Sequence, residues 1–233
     1  MTIQEMHIEF RLKNNKLDSS RYFSFETNEI DMILNIAQEK FISMRYTGLN
    51  YAKTGFEETQ KRIDDINVLI NQFVYKITNN TYFSDIFNTY KIPIQELLNN
   101  NDEYLHNVSL GARYVSPECE DRFRIVPISL IQHDDINTMH LDPHLQPSFK
   151  YPIYTQLGKM YEIYFGKEID YTKNNVYIVH KYLKKPIKMK WPDIDCELLD
   201  AVHREIIDIA VSMTIEQTED PRIKTFNNNL ITE

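Results

Sequence analysis

The residues best suited to chemistry stand close together in one stretch. Within 132–154 lie His133, Asp134, Asp135, His140, Asp142 and His144. Imidazole and carboxylate are the ligand types that hold zinc and other first-row metals. An enzyme reading therefore exists: a metal-dependent hydrolase using His133, Asp135, His140 and His144. The spacing, however, matches neither HExxH nor a His–carboxylate facial signature. A loop also orders a metal poorly unless outer hydrogen-bond partners fix its ligands. A polar loop is the expected role, with no metal and no cofactor.

The other reactive side chains are scattered. Asp64 and Asp65 are adjacent, so on a helix they point about 100° apart and cannot serve one site; an exposed helix face is expected for both. His203 lies between Val202 and Ile206 in a helical pattern, with no nucleophile or carboxylate placed to make it a general base. It is expected to pack on a helix surface or in a bundle. Cys119 and Cys196 form no Cys-x-x-Cys pair and read as structural. There is no GxSxG elbow. With only 5 glycines there is no GxGxxG or GxxxxGK[ST] phosphate loop either. No catalytic set emerges, and a non-enzymatic protein is expected.

Charge is distributed unevenly. The 233 residues carry a net charge of −8, which argues against non-specific nucleic-acid binding as the main role. From 150 to 190 there are nine lysines against Glu162, Glu168 and Asp170. From 193 to 220 there are nine acids against Arg204 alone. Such neighbouring segments suit complementary contacts, within a subunit or between subunits. The mixture of tyrosine and lysine over 151–190 also fits weak contact with DNA, although both residues are ordinary on exposed strands. Hydrophobic residues make up 42% of the chain, a globular proportion. No apolar run reaches the length of a membrane span. The first residues have neither a basic n-region nor an apolar h-region, so no signal peptide is expected.

The elements that must position these residues begin with helices. Thr2 and Glu5 form a capping box, followed by Ile3, Met6, Phe10 and Leu17 at helical spacing. Thr27 is the expected cap of a second helix, with Ile30, Ile33, Leu34, Ala37 and Phe41 as its buried stripe and Gly48 as its stop. A third helix is predicted from about Thr54, its stripe running through Ile63, Ile66, Ile70, Phe73 and Val74. From 75 to 191 the period changes. Strands are predicted at 73–78, 104–115, 122–131, 160–165 and 176–183, the last two as a hairpin or meander. A short helix is expected at 92–98, and 132–154 is expected to be one long loop. A last helix is predicted after Pro192, capped by Asp193 or Asp195, with Leu199, Val202, Ile206, Ile209 and Met213 inward. It returns to pack on the first helices. The fold class is α+β: a helical bundle from 1–74 plus 193–217, a β-rich region over 75–191, and a C-terminal arm over 218–233.

Three stretches carry a resemblance to one family. They are Glu29-Ile30-Asp31-Met32-Ile33-Leu34-Asn35-Ile36-Ala37-Gln38, the strand end Tyr182-Leu183-Lys184-Lys185-Pro186, and His203-Arg204-Glu205-Ile206-Ile207-Asp208-Ile209-Ala210 closing at Asp220-Pro221-Arg222. In this order they resemble the head–tail connector (portal adaptor, or ring) proteins of tailed bacteriophages, most like those of crAss-like phages. The resemblance implies a structural virion protein at the head–tail junction, made in the host cytoplasm and without a membrane role. It implies a homo-oligomeric ring, often of twelve copies, that joins the portal protein to tail or other neck proteins and surrounds the DNA channel with only transient DNA contact. Arg222, Phe226 and Leu230 on the arm, with Lys184 and Lys185, are the expected partner-binding residues. A stopper or tail terminator, also ring proteins of the neck and tail, is the alternative. In either case a closed ring needs two different, mutually complementary faces on each subunit.

Overall fold

The computed structural model describes residues 1–15, 25–47, 60–77, 83–84, 89–99, 102–116, 119–142, 144–166 and 175–217. Among them are five α-helices and nine strands, an α+β protein. Two compact units divide the chain, Met1–Leu69 with Pro186–Glu233, and Ile70–Lys185.

The first unit is helical. Helix α1 (Ile3–Asn15) starts at the capping box: Glu5 N–H donates to the Thr2 hydroxyl and Thr2 N–H donates to the Glu5 carboxylate. Helix α2 (Thr27–Thr47) starts one residue earlier than expected, because the Glu29 carboxylate accepts from Glu26 N–H and makes Glu26 the capping position. Helix α5 (Asp200–Gln217) packs against α1 and α2. Ile3, Met6 and Phe10 of α1, Ile30, Leu34 and Ala37 of α2, and Val202, Ile206 and Ala210 of α5 are buried.

Two expectations for this unit are corrected. The third helix, α3, is short (Gln60–Ile66). It tightens into a 3₁₀ turn at Asn67–Leu69, so Ile70, Phe73 and Val74 fall on a strand. The apolar positions of that segment satisfy both periods locally, and strand pairing decides between them. Helix α5 starts eight residues after Pro192, not immediately. The chain first makes a tight turn in which Lys190 and Ile194 exchange both backbone hydrogen bonds. Asp195 caps a different helix: its Oδ1 accepts from Ile3 N–H at 2.6 Å.

The second unit holds two sheets. In the four-stranded sheet the order is β1 (Ile70–Lys76), β9 (Asn175–Lys184), β4 (Tyr104–Ser116), β5 (Cys119–Pro127), all antiparallel. In the five-stranded sheet it is β2 (Phe83–Ser84), β3 (Thr89–Pro93), β8 (Met160–Tyr164), β7 (Ile153–Leu157), β6 (Ser129–Leu130). The two sheets share one core. Leu110, Ala112, Val176, Ile178 and Tyr182 come from the first, and Tyr90, Ile92, Tyr154, Tyr161 and Ile163 from the second. Ring edges meet faces inside it, as where Tyr154 stands T-shaped on Tyr161 with centroids 5.3 Å apart.

The hairpin expected between 160–165 and 176–183 does not form: β8 pairs with β3 and β7, while β9 pairs with β1 and β4. Gly166, at φ +86°, turns the chain out of β8, and a Cβ there would meet the Pro147 carbonyl oxygen at 2.3 Å. The segment 92–98 gives strand up to Pro93 and then a single 3₁₀ turn, Ile94–Leu97. Nor is 132–154 one loop. It holds helix α4 (Asp135–Leu141), a bridge between Ser148 and Tyr151, and the start of β7.

Candidate assembly surfaces

The His/Asp stretch does not gather. Asp135 opens α4, and His133 Nε2 donates to the Gln156 carbonyl at 2.9 Å. Asp142 Oδ1 accepts from His144 N–H at 2.8 Å, an ordinary turn contact. The side chain of His140 lies outside the described residues. Among the described residues no group of three or more His, Cys, Asp or Glu side chains is placed to hold a metal.

The scattered candidates have structural partners. His203 is buried on α5, and its Nε2 donates to the Leu198 carbonyl at 2.9 Å. Burial pushes the Cys196 thiol up to about 11, far from thiolate chemistry at neutral pH. The side chain of Cys119 lies outside the described residues. The expected exposure of the aspartate pair holds for Asp64, which accepts from Gln60, and fails for Asp65. Asp65 is buried against Arg45, with Nε to Oδ2 at 3.0 Å, and the same guanidinium pairs with Glu205 of α5. A buried carboxylate needs such a partner, and Arg45 supplies it across three helices.

The acidic last helix is therefore largely neutralised inside its own unit. Glu205 meets Arg45 and Lys61, and Asp208 meets Lys13 at 2.6 Å. Of the expected partner-binding residues, Lys184 ends β9. Lys185 follows it, its N–H donating to the Glu103 carbonyl at 2.8 Å and its ammonium 4.0 Å from the Glu103 carboxylate. Arg222, Phe226 and Leu230 lie outside the described residues.

The surface that the sequence reading missed is the outer face of the four-stranded sheet. Strand register builds it in rows across the sheet. One row runs Val74, Val179, Gly111, Pro127, and the next Lys76, Tyr177, Arg113, Ile125. Phe123 follows, opposite Val115. None of the residues in these two rows is buried, with Val74 42% and Ile125 55% exposed; Phe123 is 52% exposed, and Val115 opposite it is buried. The opposite faces of the same strands bury Leu110, Ala112, Val126, Val176 and Ile178. Cations lie over the rings of the open face, Arg113 4.1 Å from the Phe123 centroid and Lys76 5.8 Å from that of Tyr177. Its signal in the sequence was the run Phe123-Arg124-Ile125-Val126-Pro127-Ile128, in which every residue but Arg124 is apolar.

A second exposed surface belongs to the helical unit. Between Trp191 and Asp200 the chain alternates half-exposed apolar residues, Trp191, Ile194 and Leu199, with the carboxylates of Asp193, Asp195, Glu197 and Asp200. It is held firmly. Trp191 N–H donates to Asp31 Oδ2, and its ring lies 5.0 Å from the His7 ring. His7 Nε2 in turn donates to Asp31 Oδ1 at 2.8 Å. Asp200 Oδ1 takes the amino group of Met1 at 2.6 Å.

No helix among the described residues is long and apolar enough to cross a membrane. Among curated protein sequences none matches the chain. The family model described as phage tail ring protein 3/4 matches residues 1–222, which takes in both units of the fold. This chain belongs to the phage tail ring protein 3/4 family.

Proposed function

We propose that this protein is a structural, non-catalytic subunit of the ring that joins the portal to the tail and surrounds the DNA channel. The observation that carries the reading is the extent of the family match: 1–222 spans the helical unit, the β unit and the return of the chain to α5. Both units of the fold thus fall within the family match. The dispersal of the His/Asp stretch into turn and backbone contacts supports the non-catalytic part. Position at the portal is supported by the resemblance to connector proteins. The family's description as a tail ring favours a second reading, in which the ring sits on the tail side as a stopper or terminator.

The test is to purify the full chain alone and with the portal protein of the same phage, then image both by electron microscopy and measure mass. A ring docked coaxially on the portal is the expected result, and the mass gives its copy number. A ring that ignores the portal and binds tail proteins transfers the assignment to the second reading. Metal analysis of the same preparation is expected to find none bound in stoichiometric amount; bound zinc would reopen the hydrolase reading.

A further inference from the structure

We infer that the ring closes by docking the outer face of the four-stranded sheet of one copy onto the acidic 191–200 segment of the next. The inference rests on the ring reading above and names the contact that ring needs.

Strands apolar on both faces are ordinarily covered on both. Here β5 buries Val126 inward while Phe123 and Ile125 stand half exposed outward, and β1 leaves Val74 in the same condition. An edge strand with this character is a standing invitation to association, which soluble proteins usually blunt. The rows that hold Gln72, Val74 and Lys76 carry Lys76, Arg113 and Lys181 and no carboxylate; the side chain of Asp121, further along β5, lies outside the described residues. Two such faces would repel each other, so a symmetric pairing of the sheet with its own copy is disfavoured. What suits it is a surface with exposed apolar groups and negative charge.

The 191–200 segment has that composition: Trp191, Ile194 and Leu199 exposed among Asp193, Asp195, Glu197 and Asp200, with no Lys or Arg. It is already fixed by the Lys190–Ile194 bridge, by Asp195 on Ile3 and by Asp200 on Met1, so little ordering is left to be done on binding. The sheet face and the segment are different surfaces of one chain. A contact between them is heterologous, the type that generates a closed ring when the rotation between neighbours is right.

Charge reversal tests this in the full chain, coexpressed with the other tail proteins of its phage. One variant reverses the sheet face (Lys76→Glu with Lys181→Glu). A second places two lysines in the segment (Asp193→Lys with Glu197→Lys), which offsets its other two carboxylates, and a third carries all four changes. Circular dichroism and melting checks that each folds. Each single-face variant is expected to lose ring at least tenfold by electron microscopy and sedimentation. The fourfold variant, and an equal mixture of the two single-face variants, are expected to recover it, because the altered positions again bring opposite charges together. Single-face variants that form rings as the parent does overturn the inference and leave the ring reading standing. So does a loss that the fourfold variant fails to restore. A sheet-face variant that keeps the ring but releases bound DNA assigns the face to nucleic acid and also overturns it. A parent chain that enters no ring overturns the ring reading and the inference together.

Discussion

His180 is fully buried in the β unit, and its surroundings fix its protonation. Its Nδ1 donates to the Leu97 carbonyl at 3.0 Å, and its ring stacks between those of Tyr104 and Tyr182 with Tyr161 on edge. Nε2 has no hydrogen-bond partner among the described residues, so a second proton would be a buried donor without an acceptor. Burial accordingly lowers its pKa from the ordinary 6.5, against the smaller opposing effect of the Leu97 bond. The unfolded chain therefore takes up a proton first as pH falls. The stability His180 contributes is complete above about pH 6.5 and is lost progressively as pH falls from there toward its folded-state value. The urea midpoint is expected to drop between pH 7.5 and 5.5, and to drop less in His180→Gln, whose amide can still donate to Leu97. Equal drops in the two proteins would contradict this. His106 is shifted the same way by burial, which is why the comparison is between proteins and not between pH values alone. Asp102 acts in a separate, more acid window. Burial would raise it, but hydrogen bonds from Tyr182, Asn71 and Asn99 outweigh that and hold it below the usual carboxylate range, so its contribution is lost only below about pH 4.

At the scale of elements, Gly166 shows how the two sheets are kept distinct. A residue other than glycine at φ +86° is strained, and its Cβ would have to displace the Pro147 backbone at 2.3 Å. Gly166→Ala is expected to destabilise the fold by about 2 kcal/mol or more, the cost of such backbone strain, read in a urea titration; a change under about 0.5 kcal/mol would mean the turn repacks freely. The same element marks where the sequence ceased to be legible. Local signals gave α1, α2 and five of the strands nearly as they stand, because caps and periodicity act within a few residues. They did not give the partner of each strand: β8 and β9 are consecutive and apolar, yet they belong to different sheets. The two-residue strand β2 is too short to display a period, and Pro93 at the end of β3 reads as a first helical turn. Helix α3 is overextended in the sequence reading because Ile70, Phe73 and Val74 continue the helical stripe of Ile63 and Ile66, whereas pairing with β9 makes them a strand. Asp65 was misread for a similar reason, since the arginine that allows its burial is twenty positions away. The open sheet face was hidden in plain view: its residues are ordinary one by one, and only register aligns them into rows.

For the whole molecule, a net charge of −8 would by itself make copies repel. Assembly into a ring then requires that charge be laid out unevenly, and the fold does so. The acids of α5 that face Lys13, Arg45 and Lys61 are neutralised at home, while Asp193 and Asp195 of the segment and Lys76 and Lys181 of the sheet face stay exposed. Attraction between such faces is screened within about 8 Å at physiological salt and within about 3 Å at 1 M. An apolar contact is not weakened by salt in this way, and excluded salts strengthen it. The ionic-strength dependence of assembly therefore separates the two contributions without any mutation. Raising sodium chloride from about 0.05 M to 0.5 M is expected to raise the concentration at which half the chains are in rings several-fold, by speeding dissociation and slowing encounter of the charged faces. The slope should change sign in the variant with the sheet face reversed, since like charges then oppose the apolar contact of Val74, Phe123 and Ile125 and salt screens their repulsion. A ring that tightens as salt rises would show instead that apolar burial carries the contact and that the charges set only its register.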